Sequence, residues 1–200
     1  MFPIGLVTAA LLVVSGCGGS DKSSNPPGSY SLPSPTATAT TGTGGIDPLE
    51  DAGTNPVEGS ASGSETALLE RVAVGRHEGY DRVVFQFRSA LPGYKVEYVE
   101  PPLKEDGSGN PVKIKGSAFV VVRMEPASGF DLNTGEGVMT YKGPRRIDGS
   151  SVGTSVVQEV VRTGDFEAVL TWAIGLSDKV DFRVRTATSP ARLIVDFRNH

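Results

Sequence analysis

The feature that most constrains the fold is a period-two alternation of apolar residues in the C-terminal part of the chain. In 166–176, Phe166, Ala168, Leu170, Trp172, Ile174 and Leu176 alternate with Glu167, Val169, Thr171, Ala173 and Gly175. In 180–185, Val180, Phe182 and Val184 alternate with Asp181, Arg183 and Arg185. Successive side chains of a strand point to opposite faces, so this spacing predicts half-buried strands. Similar strands are predicted at 69–76, 81–88, 94–99, 112–115, 118–124, 137–141, 154–163 and 191–198, where Val, Phe, Tyr, Ile and Thr dominate. No stretch carries a sustained helical period with caps. His77-Glu78-Gly79-Tyr80 and Arg162-Thr163-Gly164-Asp165 read as tight turns, and 106–111 as a longer loop. Short strands at this spacing predict an all-β fold, an antiparallel β-sandwich over 67–200, long enough to bury a core.

The N-terminal part reads differently. Phe2 through Val14 is almost wholly apolar, roughly a dozen residues against the about 20 that a membrane span needs. It ends in Val14-Ser15-Gly16-Cys17, and Cys17 is the only cysteine. The pattern is similar to a bacterial lipobox, with 1–16 as signal peptide and Cys17 as the lipid-attachment residue. The segment before Cys17 holds no Lys or Arg, unlike an ordinary export signal, so the true start of translation is expected upstream. A lone cysteine excludes an intrachain disulfide framework. From 17 to 66 the chain is mostly Gly, Ser, Pro, Thr and Ala, which predicts a disordered tether with an r.m.s. span on the order of 40 Å. Anchor and tether together predict a protein on the extracytoplasmic face of the cell membrane. Residues 1–66 contain Lys22 against Asp21, Asp47, Glu50, Asp51, Glu58 and Glu65, so the sandwich itself is nearly neutral. Near-neutrality gives no nucleic-acid footprint.

Motifs for chemistry fail in context. Gly149-Ser150-Ser151-Val152-Gly153 matches the nucleophile-elbow string, but a strand follows it instead of a helix. The histidines are His77 and His200, too few for a metal centre. Asp106, Ser108 and Asn110 have calcium-loop spacing, yet Pro111 stands where that loop needs glycine. Strand carboxylates such as Glu97, Glu159, Glu167, Asp181 and Asp196 cannot be paired from sequence. No enzyme, cofactor or metal is expected. What is left is recognition chemistry: Tyr80, Tyr94, Tyr98 and Tyr141 near strand ends, with Arg82, Arg145 and Arg146 as fork-shaped donors. Such groups suit saccharide or peptide surfaces.

The stretch Arg76-His77-Glu78-Gly79-Tyr80-Asp81-Arg82-Val83-Val84-Phe85-Gln86-Phe87 resembles the opening of AMIN-like domains in actinobacterial lipoproteins. Pro92-Gly93-Tyr94-Lys95-Val96-Glu97-Tyr98, Gly164-Asp165-Phe166-Glu167-Ala168-Val169 and Ile174-Gly175-Leu176 continue the likeness. It closes with Ser189-Pro190-Ala191-Arg192-Leu193-Ile194-Val195-Asp196-Phe197 and covers nearly all of 69–200. The resemblance implies a non-catalytic binding module for peptidoglycan or an envelope protein. The candidate ligand-binding residues are His77, Tyr80, Asp81, Arg82, Tyr94, Tyr98 and Asp196. A structural alternative stands beside this reading. Asp81 can accept backbone N–H groups in its turn, and Arg82 can pair with Asp196 across strands on an outer face.

Overall fold

The structure is a computed structural model that describes residues 49–134 and 137–199. Cys17, the signal segment 1–16 and the tether up to residue 48 lie outside the described residues. In chain order the strands are β1 (Val57–Gly59), β2 (Ala67–His77), β3 (Tyr80–Phe87), β4 (Gly93–Val99), β5 (Ala118–Glu125), β6 (Ala127–Ser128) and β7 (Phe130–Asp131). They continue as β8 (Val138–Met139), β9 (Arg146–Asp148), β10 (Val157–Phe166), β11 (Val169–Leu176), β12 (Phe182–Thr188) and β13 (Ala191–Arg198). Among the described residues the only helical pieces are short 3₁₀ turns at Leu132–Thr134 and Ser150–Val152.

The strands build a six-stranded sheet, β1-β4-β5-β11-β10-β9, and a five-stranded sheet, β12-β13-β3-β2-β6. Every pairing is antiparallel except β2 with β6. The predicted sandwich is the observed one. Its interior is filled by the inward halves of the alternating strands. Trp172 of β11 meets Phe85 of β3 across the layer, ring centroids 5.8 Å apart, and Tyr141 stands edge-on to Trp172 at 5.5 Å. Phe87, Phe182, Phe197, Leu170, Ile174 and Leu193 complete a fully buried core.

One outer face is covered. Every residue of β11 after Val169 is buried, on both sides of the strand. The cover is the 100–117 segment. Lys115 donates its backbone N–H to Glu159 Oε2 at 3.1 Å, and Arg146 Nη2 donates to the Lys113 carbonyl at 2.7 Å. A Cβ on Gly175 would collide with the Lys115 carbonyl, so glycine is what lets the segment lie this close. The strand predicted at 112–115 is therefore a strap. Side chains of the sheet beneath hold Lys113 and Lys115, and the Val112 N–H donates to the Leu103 carbonyl at 2.8 Å within the strap itself.

The fold also begins earlier than composition suggests. Leu49 is 1% exposed, Gly53 exchanges both backbone hydrogen bonds with Phe182 (3.0 and 2.9 Å), and β1 pairs with β4. Residues 49–66, read as tether, thus belong to the sandwich. They are held by backbone pairing at sheet edges, which needs no apolar period. The β10–β11 turn also differs from expectation. Gly164 sits inside β10 at a register shift, and the loop is Glu167-Ala168. That shift moves the tip four residues along.

Glu167 and Ala168 have φ of 50° and 60°. A two-residue loop with both residues left-handed is the type I′ hairpin, normally built from Asn-Gly because a Cβ is strained there. Ala168→Gly is therefore expected to stabilise the domain by about 1 kcal/mol, read as a higher urea midpoint at unchanged m-value.

Candidate functional site

Alternation along β3 divides the candidate residues between two faces. Asp81 shares the inward side with Val83, Phe85 and Phe87, whereas Tyr80, Arg82, Val84 and Gln86 face outward. Asp81 is fully buried. Its Oδ2 accepts the backbone N–H groups of Ser155, Val156 and Val157 at 2.9, 2.6 and 3.0 Å. Its Oδ1 accepts from Asn199 Nδ2 at 2.8 Å. Asp81 does take backbone donors, but from the entry to β10 in the opposite sheet, not from its own turn. No ligand atom reaches a carboxylate so enclosed and so fully engaged.

Arg82 and Asp196 form the cross-strand pair on the outer face of the five-stranded sheet. Arg82 reaches Asp196 with two nitrogens, Nε at 2.6 Å and Nη2 at 3.1 Å. Arg185 Nη2 lies 3.0 Å and Arg183 Nη2 3.4 Å from the same carboxylate. The register explains the meeting, because Asp196 stands between Arg82 on β3 and Arg183 on β12. Three guanidiniums roof the carboxylate, so Asp196 is 0% exposed although it lies on an outer face. Burial pushes its carboxyl up, but the Arg82 hydrogen bond and the charges of Arg82 and Arg185 outweigh that and hold it below the ordinary range. The Asp196 hydrogen bond in turn raises the Arg82 guanidinium.

Two aromatic rings extend the row. His77 and Tyr80 stack with centroids 4.8 Å apart, and the Arg82 guanidinium lies 4.9 Å above the Tyr80 ring. His77, Tyr80 and Arg82 thus form one continuous row, with Asp196 buried beneath its arginine end.

Tyr94 and Tyr98 are not part of it. Both sit on β4 in the other sheet and share the inward side of Val96. The Tyr98 hydroxyl donates to the Val180 carbonyl at 2.6 Å and accepts the Val180 N–H at 3.0 Å. The Tyr94 ring fills the space where a side chain on residue 59 would stand. Tyr141 is 3% exposed, and Arg145 and Arg146 pair with Glu105 and Glu159 to secure the strap. These recognition-type residues are packing and fastening groups here. Ser151, centre of the elbow-like string, is exposed on a 3₁₀ turn and donates to the Asp148 carbonyl at 2.7 Å.

A second surface has no counterpart in the sequence reading. Phe166 is 62% exposed, and Leu132, Val138 and Met139 are 76%, 51% and 49% exposed. Phe166 and Phe130 line two hollows of about 620 and 400 Å³, with Arg145, Arg162 and Asp165 in the larger. Alternation places Phe166 inside. The register shift at 162–164 is what turns it out.

Loss of the buried clasp should be costly. Asp81→Asn replaces an ionised acceptor of three N–H bonds and is expected to destabilise the fold by about 2–4 kcal/mol in urea unfolding. Asp196 has its carboxyl lowered by folding, so it stabilises above the unfolded value of about 3.9 and loses that as pH falls through the folded value. Asp196→Asn should cost about 3 kcal/mol at pH 7, and the variant's stability should fall less steeply below about pH 4 than that of the parent chain.

The family model described as AMIN-like domain matches residues 67–199. No curated protein and no solved structure matches the chain.

Proposed function

We propose, since this chain belongs to the AMIN-like domain family, that it is an envelope protein whose β-sandwich holds a wall component without chemically altering it. Peptidoglycan is the wall component in this reading, and the outer face of the five-stranded sheet is the surface that meets it. The observation that carries the reading is the outward row of exposed His77 and half-buried Tyr80 and Arg82 over the Asp196 carboxylate. Aromatic faces stack on apolar sugar faces, and guanidinium forks pair with carboxylates of the wall. On the opposite outer face the strap covers β10 and β11, the middle of that sheet. In the same reading Cys17 carries the lipid anchor, and the segment up to residue 48 spaces the sandwich from the membrane.

A second reading rests on a different observation. The apolar cluster at Phe166, Leu132, Val138 and Met139 suits a protein partner of an envelope assembly.

The test is retention of the full chain on purified cell-wall sacculi. Retention well above a heat-denatured control is expected, and it should weaken on Arg82→Gln. Retention no better than that control would sink the wall reading. A single dominant partner on crosslinking in cells, lost in Phe166→Ser, would then favour the protein-docking reading. For the anchor, globomycin treatment should leave a larger precursor, and an unchanged band argues against lipidation of Cys17.

A further inference from the structure

The outward positions of the five-stranded sheet carry six arginines, Arg71, Arg82, Arg183, Arg185, Arg192 and Arg198, and no lysine. Every lysine among the described residues lies elsewhere. Arginine differs from lysine in presenting a planar fork to an oxyanion instead of a mobile point charge. The acids on this face do not balance the set. Asp196 is shared by three arginines, and Asp181 lies 3.7 Å from Arg198. Among the described residues Arg71 and Arg192 have no acidic partner, and Arg192 Nε is buried without an acceptor. The face is therefore cationic on a domain that is nearly neutral as a whole.

The arginines are arranged in rows. Arg183, Asp196, Arg82 and Gly75 stand opposite one another across β12, β13, β3 and β2. Four residues along the strands, Arg192, Gln86 and Arg71 form a second polar row. Between them run Ile194, Val84 and Ala73, an apolar strip over β13, β3 and β2 that ends at Arg185 on β12. At about 3.3 Å per residue the two rows are roughly 13 Å apart, and Arg192 and Arg71, two strands apart, are roughly 10 Å from each other. Gly75 leaves open space beside Arg82, since nothing lies within 4 Å of a Cβ built there.

We infer that this face binds a linear wall polymer whose phosphodiester groups are separated by uncharged polyol or sugar units. The inference rests on the wall-binding reading and names the ligand class. Widely spaced arginines on a flat face suit an extended chain held at several points, not a small molecule that needs enclosure. The apolar strip suits the uncharged repeat between charges. A phosphodiester lies in the polymer backbone, so pairing with it lowers the chain onto that strip. The central arginines already share the Asp196 carboxylate, so Arg71 and Arg192 are the forks left to pair with the polymer.

The experiment measures binding of the full chain to purified poly(glycerol phosphate), with polyglutamate and single-stranded DNA of matched charge as comparison probes. Tighter binding to poly(glycerol phosphate) than to either is expected, weakening with salt. The double variant Arg71→Gln, Arg192→Gln should bind about tenfold more weakly with a shallower salt dependence. Arg123→Gln, on the other sheet, should bind as the parent does. Equal affinity for all three polymers shows that charge alone is read and overturns the inference, as does unchanged binding by a folded double variant. Sacculi stripped of phosphodiester polymer by hydrofluoric acid separate the two levels. Retention should fall at least tenfold on stripped wall. Undiminished retention overturns this inference and leaves wall binding standing, whereas no retention even on intact wall removes the wall reading itself.

Discussion

The interaction on which the rest depends is the buried carboxylate of Asp81. It is one charge at the centre of the sandwich rim, and it joins three parts of the chain. It belongs to β3, it accepts three consecutive N–H groups at the entry to β10, and it holds Asn199 beyond the end of β13. Those N–H groups lie at the very start of β10, so without Asp81 they would lose their acceptor. A hydrophobic layer alone lets two sheets slide or rotate, because apolar contacts are not directional. Three charge-assisted bonds from one side chain to one backbone segment are directional. They set where β10 begins relative to β3, and so which side chains of the two sheets meet in the core.

The same clasp decides what faces out. With Asp81 committed inward, Tyr80 and Arg82 on either side of it must project from the opposite face. Residues adjacent in one short block, His77 through Arg82, thereby serve both purposes. One member locks the sheets together and its neighbours form the exposed row. A family resemblance carried by that block mixes structural and recognition residues, and only the strand parity separates them.

Much of this was legible in sequence, in a way that follows from strand geometry. The strands of the two sheets were legible because one buried face imposes a period of two. That parity also places Asp81 with Val83, Phe85 and Phe87, and Tyr94 and Tyr98 with Val96, so the inward turn of three candidate residues was readable from spacing. What was not legible has physical causes of three kinds. Residues 49–66 hold on by backbone pairing and one buried leucine, which leaves no periodic trace. The bulge at 162–164 inverts parity without any change in composition, so Phe166 moved from expected core to exposed tip. The strap at 100–117 covers a face by contacts far apart in sequence, and only its consequence, the unbroken burial of β11, hints at it.

Charge distribution links these parts. Arg82 and Arg183 flank β13 at roughly 10 Å from each other along the row, and two such charges repel by on the order of 1–2 kcal/mol at an effective dielectric near a protein surface. A face of six arginines would therefore oppose its own sheet unless something relieved it. Asp196 does so from the middle of the row, where one carboxylate accepts from Arg82, Arg183 and Arg185 together. It cancels one charge of three, which lowers repulsion while leaving the row cationic. Full neutralisation would take an acid for each arginine and would leave nothing for a ligand to meet. Burying a single shared acid under the forks fixes their directions, so Asp196 stabilises the sheet and pre-orients its outer face by the same bonds.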